Sequence, residues 1–231
     1  GVIGFIDDYI KVILKRNLGL TAKQKFLLQL VAAVGFVCWA VYGMDIATVV
    51  KIPFTSIELD FGIWFIPFAA LVIIATVNSV NLTDGLDGLA TCVTCMVALF
   101  FILFADKVAN RAVALFASIL LGSLMGFLMY NKFPAKVFMG DTGSLFLGGA
   151  VCGMAIVTEQ PLALLIVGLV YVIESLSVIL QVISFKTTGK RIFKMSPIHH
   201  HFEMCGWSET KIVITFTIVT AVLCLLMLNF G

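Results

Sequence analysis

The chain has 231 residues, of which 61% are hydrophobic and 12% charged, with a mean hydropathy of +1.12. Soluble globular chains carry roughly 45–50% apolar and about 25% charged residues, so a water-soluble domain is excluded. The formal net charge of +2, without a concentrated basic patch, argues against a nucleic-acid partner.

Taken in chain order, Gly1-Val2-Ile3-Gly4-Phe5-Ile6 reads as the tail of a membrane span whose beginning precedes the sequence, so the chain is expected to be the C-terminal part of a longer protein. Seven apolar runs follow, at 26–44, 62–80, 89–105, 111–130, 144–158, 162–184 and 211–230. Each is near the roughly 17–25 residues that cross a bilayer as a helix. The expected fold is an all-α polytopic membrane protein: seven full transmembrane helices, the end of an eighth, and one transmembrane domain over 1–231. Between the first two full spans, Gly43–Phe61 alternates apolar and polar residues around Pro53. It suits a small external β-hairpin or an ordered loop, with a structural role in either form.

The spans alternate sides. One side holds 1–25, 81–88, 131–143 and 185–210, and with Lys211 at its edge it carries twelve of the fifteen basic residues. These are Lys11, Lys15, Arg16, Lys23, Lys25, Lys132, Lys136, Lys186, Lys190, Arg191, Lys194 and Lys211; the other side has Lys51, Lys107 and Arg111. Lys and Arg accumulate in cytoplasmic loops, so the first side is expected to be cytoplasmic. The six cysteines lie mostly within spans and read as small buried apolar residues.

Polar residues at membrane depth are expensive, so their clusters are the first place to seek function. Four clusters occur, all on the basic side. Asp7-Asp8-Tyr9-Ile10-Lys11 sets a lysine one helical turn beyond two acids. Asn78, Asn81, Asp84 and Asp87 recur every third residue and then meet Gly85 and Gly88, where the helix is expected to break. Asn131 to Ser144 contains Lys132, Lys136, Phe138 and Met139-Gly140-Asp141-Thr142-Gly143-Ser144. There Asp141, Thr142 or Ser144 is a candidate N-cap for the next span. Ser196-Pro197-Ile198-His199-His200-His201-Phe202-Glu203 is the fourth. Zinc on three consecutive histidines with Cys205 is disfavoured, because consecutive side chains converge poorly on one tetrahedral ion.

Helix N-termini near 26, 89, 144 and 211 open on the same side and, with the lysines, favour a phosphate-bearing ligand. Carboxylates without soft ligands favour magnesium. Chemistry alone therefore points to a magnesium-dependent site for a phosphorylated substrate at the membrane face. Glu174, Ser177 and Gln181 lie in the sixth span and are expected to line a lipid groove or to satisfy one another between helices. They also motivate a rival reading, a secondary transporter of a phosphorylated solute, although transporter sites lie near the midplane.

The strings Gly4-Phe5-Ile6-Asp7-Asp8, Asn81-Leu82-Thr83-Asp84-Gly85-Leu86-Asp87-Gly88-Leu89-Ala90, Phe138-Met139-Gly140-Asp141-Thr142-Gly143-Ser144 and Pro197-Ile198-His199-His200-His201-Phe202-Glu203 together resemble the signatures of the phospho-N-acetylmuramoyl-pentapeptide transferases. These are a branch of the polyprenyl-phosphate N-acetylhexosamine-1-phosphate transferases; N-acetylglucosamine-using relatives are the nearest alternative. The resemblance implies a homodimeric enzyme of bacterial peptidoglycan synthesis in the inner membrane, acting from its cytoplasmic face with Mg2+. Its substrates would be UDP-MurNAc-pentapeptide and undecaprenyl phosphate, and its products lipid I and UMP.

It also implies roles. Asp141 would hold the metal, and Asp7 or Asp8 would position or deprotonate the lipid phosphate. Lys11, Lys25 and Asn131 would contact phosphates or the nucleotide. Phe138 would stack on uracil near Leu86 and Asp87, with Asn81 and Asp84 completing the nucleoside pocket. Asn78 and Ser144 join the substrate-binding set. His199, His200 and His201 would bind phosphate or sugar, His199 being placed among the catalytic groups.

Overall fold

The computed structural model describes residues 1–15 and 19–230; Arg16, counted above among the basic residues, lies outside them. Helix α1 (Val2–Val12) leads to α2 (Ala22–Gly43), α3 (Phe65–Thr83), α4 (Leu89–Lys107), α5 (Arg111–Asn131) and α6 (Gly140–Val157). A one-turn helix α7 (Leu164–Val167) precedes α8 (Leu169–Thr188), a short α9 (Ile198–Glu203) and α10 (Glu209–Phe230). Seven of these helices are long and apolar enough to span a bilayer. The protein is thus an all-α, multi-pass membrane protein.

Several boundaries have visible causes. Thr21 and Gln24 form a reciprocal capping box, the Gln24 amide donating to Thr21 Oγ1 and the Thr21 amide to Gln24 Oε1, so α2 starts four residues before its expected apolar run. The sixth span, expected as one helix from 162, is broken instead. Pro161 begins a 3-10 turn, α7 follows, and Gly168 closes it by donating to the Leu164 carbonyl before α8 starts.

Helix α4 is central: two thirds of its apolar window is buried, including Val93, Val97, Phe100 and Phe101. It packs mainly against α5 and α10, while α3 packs against α6 and α8, and α1 lies along α6. In the 43–61 connection, strands β1 (Val49–Lys51) and β2 (Glu58–Asp60) pair antiparallel, Val50 opposite Leu59. The side chain of Val50 is fully buried, and Lys51 Nζ lies 3.0 Å from Glu159 Oε2 at the end of α6. The hairpin is fastened to the bundle at the face away from the four polar clusters.

Candidate active site

Helices α1, α2, α3 and α6 bring three of the four clusters together at one end of the bundle. Close approach is possible because of Gly4: a Cβ there would fall on the Asp141 backbone. Helix α1 therefore lies directly on the first turn of α6. Gly140, the first residue of that turn, holds φ at +66°, a left-handed conformation that glycine adopts without strain.

The result is an acidic centre held by cations and amides. Asp7, Asp8 and Asp141 each present an oxygen within 4.8 Å of the others. Lys11 Nζ and Lys25 Nζ both donate to Asp141 Oδ2, at 3.1 and 2.9 Å. Asn81 Nδ2 donates to Asp141 Oδ1 and Ser144 Oγ, both at 2.8 Å. Asp7 is nearly fully buried, accepts the Leu20 amide at 2.7 Å and pairs with Lys11. That pairing, with Asp141 contributing, raises the Lys11 pKa and keeps the ammonium charged.

Asp8 takes a part that its motif did not announce. Its carboxylate accepts the backbone amides of Asp141 and Thr142, at 3.3 and 2.8 Å, and the Thr142 hydroxyl at 2.6 Å. A side chain from α1 thereby caps α6, satisfying donors that a helix start leaves open. This replaces the expected cap by Asp141, Thr142 or Ser144: α6 begins after Met139 without a side-chain cap of its own. Ser144 donates instead to the Gly140 carbonyl.

At the end of α3, burial and the nearby charges of Asp141 and Asp8 raise the Asp84 carboxyl to about 7. Asp87 accepts the Ala135 amide at 2.8 Å, tying the α3–α4 turn to the loop after α5. Phe138 on that loop is 76% exposed, an aromatic face open to a ligand. Other members of the expected set are engaged in packing. Asn131 is buried, accepting the Thr91 hydroxyl at 2.7 Å and donating to the Val137 carbonyl at 3.0 Å. Leu86 belongs to the hydrophobic core. Asn78 exchanges hydrogen bonds with Gln29, a partner on α2 that sequence reasoning did not single out.

The three histidines have three different environments. His199 is fully buried, its Nδ1 3.0 Å from Glu174 Oε2, with its ring against Gly85; among the described residues, His199 Nε2 and Glu174 Oε1 have no hydrogen-bond partner. His200 Nδ1 pairs with Glu203. His201 Nδ1 accepts the Lys194 amide at 3.1 Å and Nε2 lies 3.8 Å from Cys205 Sγ. The rings do not converge on one point. Among the described residues, the three aspartates are the group placed to share a metal ion.

Glu174 is thus neither exposed along a path nor satisfied by its helical neighbours. Ser177 donates to the Glu174 carbonyl, and Gln181 binds the backbone at Ile192 and Phe193. Of the two expectations for these side chains, mutual satisfaction gives way to Glu174 holding His199 of α9 and Gln181 anchoring the loop after α8, while Gln181 also lines a groove beside that loop.

An apolar bundle with carboxylates, lysines and amides gathered at one end defines a membrane-embedded transferase of the family whose motifs those residues carry. The sequence pattern of glycosyl transferase family 4 matches residues 1–159. A phospho-N-acetylmuramoyl-pentapeptide-transferase of Clostridium botulinum (strain Eklund 17B / Type B) is 53% identical over 227 residues, 98% of this chain and 69% of the relative. Identically named proteins of Halalkalibacterium halodurans and Clostridium perfringens (strain 13) are 51% and 53% identical over 94% and 97% of this chain, and 66% and 70% of their own length. The chain spans about two thirds of these relatives. It belongs to glycosyl transferase family 4 and, within it, to the phospho-N-acetylmuramoyl-pentapeptide transferases.

Proposed function

We propose that the protein transfers phospho-MurNAc-pentapeptide from UDP-MurNAc-pentapeptide to undecaprenyl phosphate, giving lipid I and UMP. The observation that carries this reading is the cluster of Asp7, Asp8 and Asp141 with Lys11 and Lys25 at the end of an apolar bundle. A water-soluble nucleotide and a lipid phosphate can meet only at such a boundary. Glu174, which motivated a transporter, is fully buried against His199, an arrangement that favours the enzyme.

The acidic centre fits a hard divalent cation. Its donors are all carboxylate oxygens, and two ammonium groups already converge on one oxygen of Asp141, so the locus concentrates positive charge. Asp141, with Asp7 beside it, would hold magnesium, which when bound neutralises charge on the donor diphosphate and on leaving UMP. Lys11 and Lys25 would turn from Asp141 towards the phosphates. Asp8 is committed to capping α6 through both oxygens, whereas Asp7 Oδ2 is held by Lys11 and would be released when that lysine turns to the phosphates. This makes Asp7 the carboxylate better placed to orient or deprotonate the acceptor phosphate.

In the transfer, an acceptor phosphate oxygen forms a new bond to the β-phosphorus of the donor, and the bond from that phosphorus to the bridging oxygen of UMP breaks. An aspartyl intermediate on Asp8 is disfavoured, since both of its oxygens accept hydrogen bonds that lower their nucleophilicity, and direct attack by the acceptor phosphate is the step proposed. Fixing this in-line geometry is most of the catalytic task. Phe138 would stack on the uracil, with Asp84, Asp87 and Asn81 nearby, and His200 would meet phosphate or sugar. The same reading places the enzyme in the bacterial inner membrane as a homodimer, with its site on the cytoplasmic face.

The test supplies the full-length protein with undecaprenyl phosphate and either UDP-MurNAc-pentapeptide or UDP-N-acetylglucosamine, and follows UMP release with and without magnesium. Magnesium-dependent release from the muramoyl donor is expected, and its absence refutes the assignment. Asp141→Asn should lower turnover about a hundred- to a thousandfold, as for loss of one preorganised electrostatic group, while leaving the protein folded.

A further inference from the structure

The loop after α8 holds a second polar site. Gly189, at φ +69°, ends α8 and reverses the chain. The reversed segment is then pinned from inside: Gln181, itself largely buried, accepts the Ile192 and Phe193 amides at 2.9 and 3.0 Å and donates to the Phe193 carbonyl at 2.9 Å. Ser184 Oγ donates to the Lys190 carbonyl at 2.9 Å, and the Lys194 amide donates to His201. The segment is a built element: Phe193 packs against His201, while Lys190, Arg191 and Lys194 are exposed.

Between it and α8 lies a groove of about 540 Å³. Lys186, Arg191 and Lys194 line it together with Val182, Phe185 and Met204, and among the described residues no carboxylate does. Lys194 Nζ donates to the Met204 carbonyl at 3.0 Å, while Lys186 and Arg191 are exposed. The groove continues into an apolar face. Ile179, Val182 and Lys186 follow at helical spacing along one side of α8, and Ile179, Val182 and Phe185 are 50%, 44% and 55% exposed. In a membrane-spanning helix this face meets acyl chains.

We propose that this groove binds the headgroup phosphate of an anionic bilayer phospholipid, with an acyl chain lying on Ile179, Val182 and Phe185. Three cations at the polar end of an apolar stripe match a lipid that carries its negative charge at the top of its chains. A basic pocket at the headgroup level of a helix is a recurrent means of such recognition. A soluble anion would use the cations alone and gain nothing from the apolar stripe beside them. The inference rests on the membrane placement of α8; undecaprenyl phosphate, the acceptor proposed above, has the same pattern of charge and chain, and preferential displacement of phosphatidylglycerol by it would assign the groove to the acceptor and overturn the proposal.

The test is native mass spectrometry of the full-length protein in detergent, titrated with phosphatidylglycerol, phosphatidylcholine or inorganic phosphate. One phosphatidylglycerol should be retained in preference to phosphatidylcholine, and millimolar inorganic phosphate should not displace it. With about fivefold in affinity for each basic residue near the surface, the Lys186→Gln/Arg191→Gln pair should weaken retention about thirtyfold. The charge-keeping Lys186→Arg/Arg191→Lys pair should retain the lipid, as should Lys132→Gln on the same side. Equal retention of both lipids, displacement by phosphate, equal loss in Lys132→Gln, or equal loss in both pairs overturns the proposal. Turnover is not read, so the outcome stands apart from that of the transferase assay.

Discussion

Asp7 and Asp8 are adjacent in sequence but differ in what they hold. Asp8 stabilises the first turn of α6 through three hydrogen bonds, while Asp7 faces Lys11 and the Leu20 amide. The motif identified both as acids beside a lysine, but it gave no sign that one would cap a helix more than 130 residues away, because that depends on how α1 lies on α6. Asp84 is the residue whose environment makes the clearest solution prediction. Its carboxyl is raised from 3.8 to about 7 by burial and by Asp141 and Asp8. Between about pH 4 and 7 the folded protein therefore keeps a proton that the unfolded chain has released, and stability falls as pH rises through this window, then levels. Asp84→Asn carries no charge to suppress and should lack this decline, so that its melting midpoint equals the wild type near pH 4 and exceeds it near pH 8. Parallel profiles for the two proteins would show that Asp84 is not the group responsible.

At the scale of elements, the spans were legible because a bilayer demands long apolar runs, and the number and order of the seven follow from that alone. Their meeting was not. The contact of α1 with α6 depends on a missing Cβ at Gly4, and the break before α8 depends on Pro161 and on Gly168 closing against Leu164. Hydropathy averages over all three residues. The pairing of Glu174 with His199 was hidden likewise: two polar residues 25 positions apart meet only because the chain turns back after Gly189. Gly4 offers a direct check. A methyl group there meets the Asp141 backbone, which cannot rotate away, so Gly4→Ala must push α1 off the first turn of α6. Overpacking of this kind costs about 1–3 kcal/mol, and it also separates Asp7 and Asp8 from Asp141. Displacement by about 1 Å lowers a positioned reaction about a hundredfold. UMP release should fall by at least that factor with a smaller change in melting midpoint, and a variant of normal activity would show that α1 tolerates the shift.

Across the whole molecule, chemistry and charge share one end of the bundle. The acidic centre, the histidine segment and the basic groove all lie on the side whose segments carry twelve of the fifteen lysines and arginines, and the hairpin with its Lys51–Glu159 pair closes the other end. This polarity has a consistent physical origin. In the proposed orientation the basic loops are retained on the cytoplasmic side, and a site that takes a soluble nucleotide opens to the compartment that contains it. Orientation can be read without any assay of turnover. Cys205 is exposed in the connection between α9 and α10, whereas Cys95, Cys152 and Cys224 are buried and Cys38 and Cys92 are partly buried within spans. A single added cysteine, Thr55→Cys at the exposed hairpin turn, supplies the opposite marker. With Cys205 absent, a membrane-impermeant maleimide should label the Thr55→Cys variant in intact cells. With Cys205 as the accessible thiol, labelling should require permeabilised membranes. The reverse pattern would invert the topology and place the acidic centre on the outer face, where a cytoplasmic nucleotide donor could not reach it.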